Sequence, residues 1–168
     1  DKLATADFNN DGFPDIIVSS DNNKVYLLSR NSTNTGFGST VDLSPSVVIP
    51  NVKNILTGDF NGNGNTDLLV ALDNGTSHIR IFLGDGVGNF TNSGSVTTNI
   101  DKLALGDFDN DNDLDFASLE AGVEINIFYN TGSGVAYSAP KTITGVFNSL
   151  FVGDFNGDGR EDILTDGE

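Results

Sequence analysis

The hydrophobic residues of this chain fall in short runs rather than along long helical stripes. In several runs apolar and polar residues alternate, as in IRIF at 79–82 and INIF at 125–128. A period of two residues is typical of a half-buried β-strand. Clusters of Asn, Asp and Gly separate the runs and mark tight turns. Because no segment has a 3.6-residue period of helical length, the pattern predicts an all-β protein.

The runs predict four strands in each of three successive units and two strands in a fourth. The predicted first strands are 3–6, 55–58, 103–106 and 150–153, and the second strands are 15–20, 67–72, 115–120 and 162–166. The predicted third strands are 24–29, 78–84 and 124–130, and the fourth strands are 41–49, 94–98 and 140–145. Four-stranded antiparallel units repeated every ~50 residues are typical of β-propeller blades. We therefore predict three blades and the first half of a fourth, at 1–50, 51–98, 99–145 and 146–168.

Three and a half blades are fewer than the ~4 to 8 of a closed propeller. The chain opens with a first strand and finishes with a second one, so it does not complete its own fourth blade. An open arc would expose apolar flanks and unpaired strand edges. We expect the chain to be part of a larger propeller, with the remaining blades in the same polypeptide or in another chain.

A nine-residue acidic segment recurs after the first predicted strand of every unit. Its four copies begin at Asp7, Asp59, Asp107 and Asp154. They hold 14 of the 24 acidic residues, whereas the whole chain has 8 basic residues and a net charge of −16. Four copies in near-constant register identify a repeat protein. The acidity also argues against a nucleic-acid partner, because phosphate binding needs clustered Lys and Arg.

Oxygen atoms at positions 1, 3, 5, 7 and 9 of each segment predict up to four calcium sites. Calcium accepts an irregular cage of oxygen ligands, whereas magnesium demands a tighter octahedron. Gly at position 6 supplies a left-handed turn in three loops, and Asn112 replaces it in the third. Position 7 offers its main-chain carbonyl. The predicted ligands are, loop by loop, Asp7, Asn9, Asp11, Phe13 and Asp15; Asp59, Asn61, Asn63, Asn65 and Asp67; Asp107, Asp109, Asp111, Asp113 and Asp115; and Asp154, Asn156, Asp158, Arg160 and Asp162.

The side-chain ligands of the four loops carry charges of −3, −2, −4 and −3. Because affinity rises with ligand charge, we predict that the second loop binds calcium most weakly and that the third binds it strongly. The loops resemble EF-hand loops only in part, since their closing carboxylate comes at position 9 and strands flank them. Two other interpretations stay open. The loops could be Asx-rich hairpin turns alone, or the ions could be purely structural, since a fully ligated cage leaves no position for chemistry.

These segments resemble the FG-GAP or VCBS repeats of integrin α-subunit propellers and of many bacterial extracellular proteins. The match rests on GDFNGDGRED at 153–162 with its three counterparts, and on IRIFLGDGVGNFTNSGSVT at 79–97 with INIFYNTGSGVAYSAPKTIT at 125–144. The resemblance implies propeller blades with calcium in the loop between strands one and two. It leaves the function open, because such propellers serve adhesion proteins, lectins and carbohydrate-active enzymes alike.

We expect an extracellular, secreted or cell-surface calcium-binding module, or a periplasmic one, that serves adhesion or recognition of a protein or glycan ligand. Loops of modest charge suit the millimolar calcium found outside cells. A ligand would bind at the end of the blades opposite the calcium loops. That end comprises residues 21–23, 51–53, 73–78, 99–102 and 147–148.

The sequence leaves two alternative functions open, a catalytic or non-catalytic propeller of a carbohydrate-active enzyme such as a polysaccharide lyase, and a structural subunit of a surface filament. We expect no enzyme, because His78 is the single histidine and no nucleophile–base pair is visible. The basic residues that a lyase would need together are scattered, namely Lys53, Arg80, Lys102 and Lys141.

Composition adds three smaller points. The chain has no Cys, which excludes disulfides and Cys-based zinc sites. No apolar run is long enough to predict a membrane span. Glycosylation-type triplets begin at Asn31, Asn74 and Asn89, and they matter only if the protein enters a eukaryotic secretory pathway.

Overall fold

The computed structural model describes residues 2–30, 33, 35–43, 49–73 and 78–167, and fourteen β-strands lie in these ranges. In chain order they are β1 (Leu3–Ala6), β2 (Asp15–Ser20), β3 (Lys24–Arg30), β4 (Phe37–Asp42), β5 (Val52–Gly58), β6 (Asp67–Leu72), β7 (His78–Gly84), β8 (Phe90–Thr97), β9 (Lys102–Gly106), β10 (Asp115–Glu120), β11 (Glu124–Phe128), β12 (Lys141–Thr144), β13 (Phe151–Gly153) and β14 (Asp162–Leu164). The described part of the chain contains no helix. The all-β prediction is confirmed.

The strands form three four-stranded antiparallel sheets and one two-stranded sheet. Each sheet follows the chain as a meander, β1–β4, β5–β8, β9–β12 and β13–β14, and we call these sheets units 1 to 4. This arrangement is consistent with β-propeller blades. In every unit the residue before the acidic loop pairs with the ninth residue of that loop, as Ala6↔Asp15, Gly58↔Asp67, Gly106↔Asp115 and Gly153↔Asp162. The acidic loops therefore close the first hairpin of each sheet, at the same end of every unit.

Neighbouring units are joined by apolar packing between sheets. Their first strands contact one another in the order β1, β5, β9 and β13, and within the described ranges the sheets do not close into a ring. One buried cluster joins units 1 and 2 and includes Phe8, Ile17 and Phe82. Two further clusters join units 2 and 3 and units 3 and 4. The core of this protein thus lies between the sheets, which is how blades of a propeller pack.

The fourth strands depart most from the prediction. Unit 1 forms its fourth strand at Phe37–Asp42 rather than at 41–49, and residues 44–48 of the predicted range lie outside the described residues. Unit 2 begins its fourth strand at Phe90 rather than at 94. These strands pair with strand three through Arg30↔Phe37 in unit 1 and Gly84↔Phe90 in unit 2. The hydrophobic pattern did not mark these strands because their early residues are mostly polar and exposed.

Several other strand ends differ by two or three residues. The third strand of unit 3 ends at Phe128 instead of 130, and the second strand of unit 4 ends at Leu164 instead of 166. The first strand of unit 2 begins earlier, at Val52 instead of 55. Ends of this kind are set by the pairing partner across the sheet, which a run of apolar residues does not reveal.

In units 1 and 2 the phenylalanine at position 2 of the acidic loop packs against the next unit. Phe8 and Phe60 are each 1% exposed. The ring of Phe8 meets that of Phe90 in unit 2 edge to face, with centroids 5.8 Å apart, and Phe60 joins the cluster that contains Phe116 of unit 3. Phe155 of unit 4 is 55% exposed. The same motif residue is therefore core or surface according to whether a following unit covers it.

Candidate metal centre

Each acidic loop curls through two left-handed residues. Position 6, where the sequence predicted such a turn, has a positive φ in all four loops, including 71° at Asn112. Position 4 is left-handed as well, which the sequence analysis missed. The residues at positions 4 and 6 are Asn10 and Gly12, Gly62 and Gly64, Asn110 and Asn112, and Gly157 and Gly159. Asn and Gly tolerate this conformation better than other residues, and their exclusive use at position 4 was the available signal.

The first aspartate of each loop points its carboxylate into the turn. In the first loop Asp7 accepts hydrogen bonds from the N–H groups of Asp11 (3.2 Å) and Gly12 (2.8 Å). Residues at positions 5 and 6 donate in the same way to Asp59, Asp107 and Asp154. In the fourth loop these donors lower the pKa of Asp154, with the Gly159 N–H as the largest cause. The first ligand position is thus oriented by the main chain alone.

The ninth aspartate ties the loop to the rest of its sheet. Asp67 is fully buried and accepts hydrogen bonds from the N–H of Phe60 (2.9 Å) and from the N–H of Gly84 at the end of strand three (2.8 Å). Asp15 and Asp115 make the equivalent pairs of bonds in units 1 and 3. Burial raises the pKa of all three carboxyl groups. One side chain therefore joins the loop, strand two and strand three.

The third loop brings the most carboxylates together. Oxygens of Asp107, Asp109 and Asp115 all lie within 4.8 Å of one another, and among the described residues no other acidic trio converges as closely. Burial raises the pKa of Asp115 to about 6, and the charges of Asp109 and Asp111 add to the rise. Desolvation, together with the charge of Asp111, raises the pKa of Asp109. The trio is a concentrated negative site with one buried and two accessible members.

This donor set fits a hard divalent cation such as calcium. Carboxylate oxygens are the ligands that calcium prefers, and a bound cation would stabilise the charged form of carboxylates whose pKa values are raised by burial and, to a smaller extent, by mutual repulsion. FG-GAP-type loops commonly hold calcium, and the trio agrees with that use. Asp111 and Asp113 lie outside the trio, and Asp113 donates its N–H to Asp111 at 2.8 Å. The full five-ligand sets assigned to the four loops stay predictions.

The units carry polar depressions outside the acidic loops. A groove of about 410 Å³ between units 2 and 3 is lined by Thr97, Thr98, Asn99, Glu124, Asn126, Phe128, Pro140 and Thr142. A smaller depression lies between units 1 and 2 and is lined by Ser19, Ser20, Asp21, Asn23, Asn51 and Val52. Residues 21, 23, 51 and 99 belong to the segments predicted for ligand recognition. Positions 74–77 of those segments lie outside the described residues.

Other residues singled out from the sequence lie apart from both places. Lys53 pairs with Asp73 and Asp101, at 3.4 and 3.6 Å, and its amino group donates to the carbonyl of Ile100. Of the three glycosylation-type asparagines, Asn31 and Asn74 lie outside the described residues. The side-chain amide of the third, Asn89, donates to Asp85 at 2.8 Å in the turn between β7 and β8.

Comparison with known proteins identifies the repeat. The family model of the FG-GAP-like repeat matches residues 7–70, 59–118 and 107–165, and the overlapping matches span nearly the whole chain. The match supports FG-GAP repeats and does not single out VCBS repeats. A similar solved structure is that of the V. cholerae biofilm matrix protein Bap1, with 17% identity and a TM-score of 0.43 over 97% of this chain and 27% of that chain. No curated protein matches the chain.

The described residues contain no helix long and apolar enough to cross a membrane. All four acidic loops, each in the first hairpin of a sheet, lie within the residues that the family model matches. The chain belongs to the FG-GAP-like repeat family.

Proposed function

We propose that this chain is an extracellular, calcium-stabilised β-propeller module that recognises a ligand and catalyses no reaction. The observation that carries the proposal is the repetition of one acidic loop at the same end of four sheets, with a converging carboxylate trio in the third. Calcium bound there would be structural. In units 1 to 3 the loop is joined through its ninth aspartate to strands two and three, so an ion in the loop would stabilise the whole sheet.

The calcium chemistry proposed for the loops and the family support an extracellular location. The predicted ligand charges of −2 to −4 suit sites that fill at the high calcium concentration outside cells. Loops with few carboxylates, such as the second, would stay empty where calcium is scarce. The protein would therefore be fully stabilised only after export.

The groove between units 2 and 3 supports recognition of a neutral, hydroxyl-rich ligand such as a glycan. Its volume of about 410 Å³ lies within the ~300–1,000 Å³ usual for small-molecule sites. Asn126 is buried at its floor, where it accepts from the Thr142 hydroxyl at 2.6 Å and donates to Glu124 at 2.7 Å. An amide has a second N–H, and Glu124 has a second oxygen, so both can still bond to ligand hydroxyls. None of the described residues that line this groove is a lysine or an arginine, which disfavours acidic ligands.

The calcium part of the proposal is tested by thermal unfolding and light scattering with and without a chelator. We expect chelation to lower the melting temperature strongly, because the acidic loops then lose the cation that offsets their repulsion. Light scattering reports whether several chains join to complete a ring. A melting temperature that does not respond to chelator would overturn the structural role of calcium.

The recognition part is tested on a glycan array with the calcium-loaded chain. We expect binding to neutral glycans that Glu124→Gln weakens by about tenfold, since one charge-assisted hydrogen bond is lost. Asp85→Asn removes the same charge in the turn between β7 and β8, outside this groove and outside the segments predicted for recognition, and serves as the matched control. Binding that both variants affect equally refutes the groove, and cleavage of a polysaccharide by the intact chain refutes the absence of catalysis.

A further inference from the structure

In units 2 to 4 the residue at position 8 of the acidic loop reaches across to the preceding unit, at its acidic loop or at the glycine before that loop. Thr66 of unit 2 donates its hydroxyl to the carbonyl of Asp7 at 3.3 Å. Leu114 of unit 3 covers Gly58, where an added Cβ would overlap the leucine side chain. Glu161 of unit 4 covers Gly106 in the same way and accepts a hydrogen bond from the N–H of Asp107 at 2.8 Å. We call these three side chains the latch residues.

The residue before each loop is matched in size to the latch residue that covers it. Gly58 and Gly106 leave room for the bulky latches Leu114 and Glu161, whereas Ala6 precedes the loop that the smaller Thr66 contacts. At Gly153 the nearest side-chain atoms belong to Phe155 of the same unit, at 3.6 Å or more. A latch is therefore a contact between units and not a feature of the isolated loop.

Glu161 differs from the other two latches because it carries a charge. Its carboxylate bonds to the main chain of Asp107, and Asp107 belongs to the trio whose oxygens converge in the third loop. Docking of unit 4 thus adds a negative group beside the most acidic loop. Without a cation this proximity is repulsive, and a divalent cation in the loop would offset part of that repulsion.

We propose that Glu161 is an inter-unit positioning residue for the third loop, through which docking of unit 4 and cation binding by unit 3 strengthen each other. The inference rests on the calcium binding proposed above and goes beyond it, since it assigns to one loop a residue from another unit. Linkage makes the effect reciprocal: calcium in the third loop holds unit 4 in place, and docked unit 4 raises the calcium affinity of that loop.

The proposal is tested by following amide signals of the intact chain by NMR during titration with Ca²⁺ alone. The Asn112 amide reports the third loop, and the Gly159 amide reports the fourth. Glu161→Gln keeps an acceptor for the Asp107 N–H and removes only the charge. Couplings between sites typically reach about 5- to 150-fold, so we expect this variant to bind calcium about five- to tenfold more weakly at the third loop, with a smaller change at the fourth.

Hydrogen exchange of the β13 and β14 amides supplies the reciprocal measurement. Calcium should slow this exchange in the unaltered chain and slow it much less in Glu161→Gln. Glu161→Leu, which introduces the latch side chain of unit 3, tests whether packing alone keeps unit 4 docked, and Asp21→Asn controls for net charge. The coupling is refuted if Glu161→Gln behaves like Asp21→Asn at the Asn112 amide. If calcium shifts no loop amide signal in the unaltered chain, the proposed calcium binding is wrong, and the proposed coupling is then wrong as well.

Discussion

Truncating the loop phenylalanines one at a time separates the role of the motif from the role of the tertiary structure. Phe60 and Phe155 occupy the same position of the repeat, but they are 1% and 55% exposed. Phe→Ala in a packed core costs about 3–5 kcal/mol, as lost transfer free energy plus a cavity. An exposed substitution usually changes stability by about 0.5 kcal/mol or less. We therefore expect Phe60→Ala to cost several kcal/mol, Phe155→Ala under about 1 kcal/mol, and the partly buried Phe108 to fall between them.

The assay is thermal unfolding of the calcium-loaded chain, followed by far-UV circular dichroism. For a chain of this size each kcal/mol lowers the melting temperature by about 2–4 °C, so Phe60→Ala should lower it by roughly 6–20 °C. Phe60→Leu, which keeps most of the buried volume, is the matched control and should recover much of the loss. Equal effects of Phe60→Ala and Phe155→Ala would refute the packing between units, because the phenylalanine would then act within its own loop.

Three further predictions concern charge and hydrogen bonding. In chelator, the free energy of unfolding should fall as the pH rises from about 4 to about 6. The reason is that burial raises the pKa of Asp115 to about 6 in the folded chain, whereas the unfolded chain releases this proton near pH 3.8. Urea unfolding across this pH range should show the fall, and a flat profile would contradict the burial of this carboxyl group. Asn63→Asp should strengthen calcium binding by the second loop, as measured by calorimetric titration. The aspartates at this position in the other loops accept the same hydrogen bond from the N–H of position 7 as Asn63 does, so the substitution keeps the loop geometry and adds a charge. Unchanged affinity would argue against Asn63 as a ligand. Tyr137→Phe should stabilise the chain by about 1 kcal/mol in urea unfolding, because it removes a buried hydroxyl that has no hydrogen-bond partner among the described residues, and a loss of stability would reveal a partner.

Much of the candidate site could be predicted because it is local. The ligands at positions 1 to 9 are close in sequence, and the hydrogen bonds that orient Asp7 come from residues four and five positions later. Such contacts form wherever the motif occurs, so one copy describes all four. The alternating runs at 79–82 and 125–128 likewise indicated strands, since a two-residue period depends only on which face of the strand is buried.

The tertiary structure decided whatever depends on a neighbouring unit. Phe60 is buried because unit 3 covers it, whereas none of the described sheets covers Phe155, although both residues stand in a DFNG segment. The start of β8 at Phe90 follows from pairing across the sheet rather than from an apolar run. Contact between Glu161 and Asp107 joins residues 54 positions apart, and no periodicity records it. The sequence alone thus determined the repeat and most of the strands, and it predicted the donor atoms of each loop. Long-range packing determined which carboxylates converge and which units support one another, because those contacts exist only once the sheets are assembled.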